Sequence, residues 1–239
     1  MIINADSYDY LKKIEKGSID LILTDPPYLI SRESNYHKIS DNTSDELKTK
    51  YSNHKIDFGE WDKQDLDLNL LIKEFYRVLR KGGTLIIFFD IWKSNQIKES
   101  AELNKFKQPR FGIWTKNNPV PINSKINYLS NVHEFFFSFV KGGKPTFNSK
   151  YDNGIYNFPI CHGKERLDHP TQKPLKLFEE LIKKHSNEND VILDPFSGSG
   201  TCAEACINLN RKYICIEKDL NYYNLSLERI KQTNHKFIS

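Results

Sequence analysis

Val191-Ile192-Leu193-Asp194-Pro195-Phe196-Ser197-Gly198-Ser199-Gly200-Thr201 decides the fold. Val191 to Leu193 is a short apolar run bounded by turn residues, which reads as a buried strand. Gly200 to Leu209 reads as a helix. A strand, a glycine loop and a helix in that order make the ligand-binding turn of an open α/β sheet, where ligands sit at the carboxyl ends of the strands. Glycines let backbone approach a ligand closely, and a helix start offers free N–H groups. The next strand, Tyr213 to Ile216, ends at Glu217. That places an acid about twenty residues after the glycines, the spacing of a carboxylate that grips ribose hydroxyls. The unit therefore points to a nucleoside-containing ligand.

A dinucleotide is the competing reading. Gly198 and Gly200 are present, but the third glycine position holds Ala203, which such turns sometimes tolerate. Asp194 argues the other way: a carboxylate there repels a pyrophosphate and welcomes an ammonium or sulfonium group. This favours a cationic nucleoside, S-adenosylmethionine (SAM). A plain glycine turn between strand and helix is the bland alternative.

Working outward, strands and helices alternate over both ends of the chain. Ile2 to Ala5 is a strand, Tyr8 to Ile14 a helix and Ile19 to Leu23 a strand. Leu68 to Arg80 repeats apolar residues at helical spacing, Lys81-Gly82-Gly83 reads as its stop, and Thr84 to Phe89 is a continuous apolar strand. Lys93 to Leu103, Pro174 to His185 and Tyr222 to Lys231 read as helices, and Phe111 to Thr115 and Phe135 to Val140 as strands. The fold class expected is α/β: a doubly wound, mostly parallel, seven-stranded Rossmann-like sheet in one domain over 1–239. Residues 31–56 are polar and read as a mobile loop or lid, and about 120–167 lacks a clear period.

The second motif, Thr24-Asp25-Pro26-Pro27-Tyr28, ends the strand from Ile19 to Leu23. Two prolines remove two backbone donors, leaving an acceptor-rich corner beside an aromatic ring. That suits a flat, amine-bearing group, although Asp and Pro also make ordinary turns.

Composition bounds the rest. Fifteen Phe, twelve Tyr and 28% charged residues suit a folded chain, and a net charge of +4 permits a polyanionic partner without requiring one. No apolar run reaches membrane-spanning length and no secretory signal opens the sequence, so a cytoplasmic protein without membrane association is expected. Cys161, Cys202, Cys206 and Cys215 form no zinc pattern, so no metal is expected.

Taken together, the two motifs resemble amino-methyltransferases of DNA bases, which modify N6 of adenine or N4 of cytosine. Asp25-Pro26-Pro27-Tyr28 matches their catalytic motif, and Asp194 to Thr201 their cofactor motif. Catalytic motif first is the order of the β-class. His169-Pro170-Thr171-Gln172-Lys173-Pro174 and Trp114-Thr115-Lys116-Asn117-Asn118-Pro119 resemble further family segments, so the likeness spans nearly the whole chain.

The resemblance implies a SAM-dependent, site-specific DNA methyltransferase acting by direct attack of the amine on the methyl group. Asp25, Pro26, Pro27 and Tyr28 are then catalytic, with Tyr28 stacking on the base. The cofactor residues are Asp6, Asp25, His169, Thr171, Lys173, Asp194, Pro195, Phe196, Ser197, Gly198, Ser199, Gly200, Thr201 and Glu217. Asp6 would lie beside the adenine, Glu217 on the ribose, and His169, Thr171 and Lys173 at the methionine end. The partner is DNA, double- or single-stranded, and the resemblance admits a homodimer and a companion restriction endonuclease. Only 31–56 and the segment at about 120–167 leave room for target recognition. An Asp in first place leans towards adenine; N4-cytosine methylation is the near alternative, and a non-catalytic nucleic-acid-binding module on the same fold a more distant one.

Overall fold

The computed structural model describes residues 1–27, 66–119 and 131–236. The chain divides into two compact units, Met1–Pro26 with Asp67–Ser239, and Pro27–Leu66. Tyr28 and the polar stretch 31–56 lie outside the described residues, as do residues 120–130 of the aperiodic segment.

In chain order the first unit comprises β1 (Ile2–Asn4), α1 (Ser7–Leu11), β2 (Ile19–Thr24), α2 (Leu68–Val78), β3 (Leu79–Phe89), α3 (Ser94–Leu103), β4 (Lys107–Lys116) and β5 (His133–Val140). It continues with β6 (Ile155–Phe158), α4 (Leu175–His185), β7 (Val191–Asp194), α5 (Thr201–Asn208), β8 (Lys212–Glu217) and α6 (Leu220–Lys236). The described strands form one eight-stranded sheet in the order β1-β8-β7-β2-β3-β5-β4-β6. Pairing is parallel except where β5 meets β3 and β4, so β5 alone runs against the rest.

The α/β class and the mostly parallel sheet are as expected, but the sheet has eight strands rather than seven. The extra strand, β6, lies in the aperiodic segment. It is the four residues Ile155-Tyr156-Asn157-Phe158, of which only Tyr156 is buried, and so short a run shows no clear period. The helix stop expected at Lys81-Gly82-Gly83 is instead part of β3, which starts at Leu79. Lys141 N–H donates to the Gly83 carbonyl at 2.9 Å and Gly82 N–H to the Lys141 carbonyl at 3.0 Å, so pairing at the end of β5 carries the ladder through the glycines.

Successive strand residues face opposite sides of a sheet. Leu21, Ile22 and Leu23 of β2 and Leu85, Ile86 and Ile87 of β3 are all fully buried, so both faces are covered. One helical group supplies Leu71, Ile72, Phe75 and Val78 from α2, and another supplies Leu177, Phe178, Leu181 and Ile182 from α4. Each such side chain contributes about 1.5–3 kcal/mol on burial. Asp20, the charged residue within β2, is satisfied by Arg80 and by Val191 N–H at 2.8 Å, which ties β2 to both neighbours at the amino end of the sheet. Among the described residues no helix is long and apolar enough to cross a membrane.

Candidate active site

The strand order determines which residues meet. β2 and β7 are neighbours in parallel register, with Leu21 opposite Ile192 and Ile22 opposite Leu193. Their carboxyl ends therefore lie side by side, although the two motifs are remote in sequence. The joint is a buried hydrogen bond: Thr24 Oγ1 donates to Asp194 Oδ1 at 2.9 Å across 170 positions. Phe196 N–H donates to the same oxygen at 3.1 Å. Burial pushes the Asp194 carboxyl up to about 7; these two donors oppose the shift, and the charges of Asp25 and Glu217 reinforce it.

Residues 195–200 turn sharply into α5. Ser197 N–H reaches the Ile216 carbonyl at 3.0 Å, and Gly200 N–H closes onto the Ser197 carbonyl at 2.9 Å. The Ser7 hydroxyl donates to the Pro195 carbonyl. Both glycines have positive φ, +49° at Gly198 and +81° at Gly200. A β-carbon would lie 2.8 Å from His169 Nε2 at Gly198, and 2.8 Å from Ser226 Cβ at Gly200. The first glycine thus admits the His169 ring and the second admits α6. His169 packs on Tyr222 with ring centroids 4.4 Å apart, and burial lowers its pKa to about 4, leaving a neutral imidazole against the loop.

Glu217, at the end of β8, uses both carboxylate oxygens. Oε2 accepts from Gly198 N–H and Oε1 from Asp219 N–H, each at 2.8 Å. Burial pushes its pKa up against those bonds. Lys218 N–H also bonds this carboxylate, whose remaining acceptor capacity is open to a ligand hydroxyl. Asp6, just past β1, caps α1 by accepting from Tyr8 N–H at 2.9 Å and pairs with Lys218 at 3.1 Å.

Asp25 follows β2 directly and is mostly buried. Its Oδ2 is ion-paired with Lys173, whose Nζ also lies 3.1 Å from Glu134 Oε2. Glu134 in turn pairs with Lys116 at 2.8 Å. Lys173, expected at the methionine end, thus has its ammonium on the acid of the other motif. Thr171 is partly exposed in the same segment. Pro26 is buried beside Asp25, and Pro27 begins the second unit.

Three features of the site are not evident from sequence motifs. Thr24 opens the second motif, but nothing in the sequence marks it as the joint between the two. Glu134 is the single acid in β5, a strand rich in Phe, and that isolation is its only mark. Arg229 is buried behind the loop, paired with Glu204 and donating to Thr201 Oγ1 at 2.9 Å, yet it reads as one more cation on a polar helix.

Adjacent strand ends β1, β8, β7 and β2 thus present Asp6, Glu217, Asp194 and Asp25 in a row. Ser197 Oγ, in the loop between them, is buried and has no hydrogen-bond partner among the described residues. An acidic row with an unused buried hydroxyl fits a positively charged nucleoside with hydroxyls to bind. It fits a pyrophosphate poorly. Among the described residues no cluster of His, Cys, Asp and Glu is arranged to hold a metal, and all four cysteines are buried thiols.

The chain is similar over most of its length to known proteins. The type II methyltransferase M.HinfI of Haemophilus influenzae is 32% identical over 97% of this chain and 68% of its own length. The type II methyltransferase M2.MboI of Moraxella bovis is 31% identical over 95% of this chain and 86% of its own. The crystal structure of the M1.HpyAVI–SAM complex aligns with a TM-score of 0.72 at 29% identity, covering 96% of this chain and 98% of that one. Residues 19–228 match the family described as DNA methylase, which comprises N6- and N4-methyltransferases, and the chain belongs to that family.

Proposed function

We propose that the protein transfers a methyl group from SAM to the exocyclic N6 amine of adenine in DNA. The observation that carries this reading is the Thr24–Asp194 hydrogen bond, which sets Asp25 beside the loop that would hold the methyl donor. The choice of adenine rests on the Asp that opens Asp25-Pro26-Pro27-Tyr28. Bound SAM supplies an electrophilic methyl group on a positively charged sulfur. Glu217 would hold the ribose hydroxyls, Ser197 Oγ and the backbone of 196–200 would line the pocket, and Asp194 would face the cationic portion.

The amine of adenine is a weak nucleophile because its lone pair is delocalised into the ring. Asp25 and the Pro26 carbonyl accept its two hydrogens and turn the lone pair out of the ring plane. As that pair forms the N–C bond, the nitrogen becomes positive, and the adjacent Asp25 carboxylate stabilises the developing charge. The surplus proton then leaves the nitrogen for solvent. No cysteine adjoins the Asp25 motif in the sequence and all four cysteines are buried thiols, so the reading uses no thiolate. In duplex DNA the base must first be flipped out of the stack.

Transfer of labelled methyl from SAM to DNA, followed by hydrolysis to nucleosides, tests the reading. N6-methyladenine is expected; N4-methylcytosine as the sole product overturns the choice of base. Asp25→Ala should abolish transfer while calorimetric titration still shows SAM binding, and retained activity refutes the role given to Asp25.

A further inference from the structure

The ion pairs of Lys173 are not used by the mechanism above. Lys173 is buried, and its Nζ lies between two carboxylates, Asp25 Oδ2 and Glu134 Oε2. It also sits 5.3 Å from the centroid of the Phe88 ring, so water has little part in its solvation. Its own carbonyl accepts from Thr201 Oγ1 at 3.3 Å, which anchors the residue to the start of α5. Glu134 is fixed from the other side by Lys116. One ammonium therefore spans from the cofactor loop to the acid of the catalytic motif, and it occupies one of the two Asp25 carboxylate oxygens.

We propose that Lys173 and Glu134 are positioning residues for methyl transfer: Lys173 holds Asp25 ionised and aimed, and Glu134 takes over the ammonium when the amine engages Asp25. This rests on the reading of Asp25 as the amine acceptor. Physical chemistry favours the exchange over a proton relay. Burial disfavours the charged form of Lys173, but Asp25 and Glu134 outweigh it and raise its pKa, so it stays an ammonium and has no room for a proton. Burial likewise raises the Glu134 carboxyl, and Lys173 and Lys116 more than reverse that, so it stays ionised and ready to accept a cation. With Glu134 in place, Lys173 can release Asp25 without becoming an unpaired buried charge, which would cost several kcal/mol. Among the described residues, the charged groups around Asp25 include Lys173 directly, Asp194 from β7, and Glu134 with Lys116 behind the lysine.

The test uses the full chain with SAM and DNA. In Lys173→Met, kcat should fall about a hundredfold while SAM affinity stays within threefold of wild type. The acid limb of kcat against pH should move up by about 1–2 units, because an ammonium at ion-pair distance depresses a carboxylate by that order. Lys173→Arg should restore most of the limb position. Glu134→Gln should lower kcat about tenfold without an upward shift, since Asp25 keeps its cation. A packing role would lower both rates and leave the limb in place, and that result overturns the proposal, as does a Lys173→Met kcat within threefold of wild type. If Lys173→Met no longer binds SAM, Glu134→Gln decides: unchanged kcat refutes the exchange. If Asp25→Ala is itself active, the assignment of Asp25 fails instead, which keeps the two claims separable.

Discussion

Thr24→Val removes one hydroxyl from the buried joint between the two motifs and keeps the shape of the side chain. Asp194 Oδ1 then retains only Phe196 N–H of its two donors. The cost depends on the charge of Asp194. A hydrogen bond to an ionised group contributes roughly 1.5–3 kcal/mol and one between neutral groups roughly 0.5–1.5. The folded-state pKa is pushed up to about 7, so Asp194 is protonated at pH 5.5 and ionised at pH 8.5. Destabilisation should be about 1 kcal/mol at the lower pH and about 2 at the higher. With a urea slope of about 3 kcal/mol/M, the midpoint should drop by about 0.3 M and 0.7 M respectively. Urea unfolding of both proteins at the two pH values, without cofactor, is the assay. An equal loss at both pH values, or a larger loss at pH 5.5, refutes the claim that this bond supports a buried carboxylate titrating in that window.

Three further outcomes follow from the same geometry. Gly200→Ala forces a β-carbon into positive φ and against Ser226, and should cost about 2–3 kcal/mol, seen as a lowered unfolding midpoint. Arg229→Met leaves Glu204 as an unpaired buried acid and should destabilise by about 3–5 kcal/mol, whereas Glu204→Met with Arg229→Met should recover most of the loss in thermal unfolding. Because folding raises the Asp194 pKa, its contribution to stability falls as pH rises from about 4 to about 7, and a cation bound beside it reverses that preference. SAM affinity should therefore rise about tenfold from pH 5.5 to 7, with proton release visible in calorimetry across buffers of different ionisation heat.

The parts of the fold written in strong local signals were legible. Ile19 to Leu23, Thr84 to Phe89 and Val191 to Leu193 are apolar runs, and the glycine turn after β7 names its own position. The adjacency of Asp25 and Asp194 comes from the parallel pairing of β2 with β7, which no local stretch of sequence records. β6 is hard to read because four residues at a sheet edge are too short a run to establish a period. β3 was read short because glycines that usually end a helix are held here by hydrogen bonds to residues some sixty positions on. Glu134 and Arg229 were illegible for a related reason: a buried ion pair is a property of two remote residues, and neither sequence neighbourhood announces it.

The reversal of β5 has a consequence for the connection between β4 and β5. Because β4 ends and β5 begins at the same edge, the chain leaving Lys116 and returning at His133 departs from and rejoins the reaction side of the sheet. Lys116 N–H closes the base of this excursion on the Val132 carbonyl at 2.7 Å. Doubling the length of a flexible connection costs only about 0.6 kcal/mol in closure entropy. The length of what lies between these two residues can therefore change at small cost while the sheet, the loop after β7 and Asp25 stay in place.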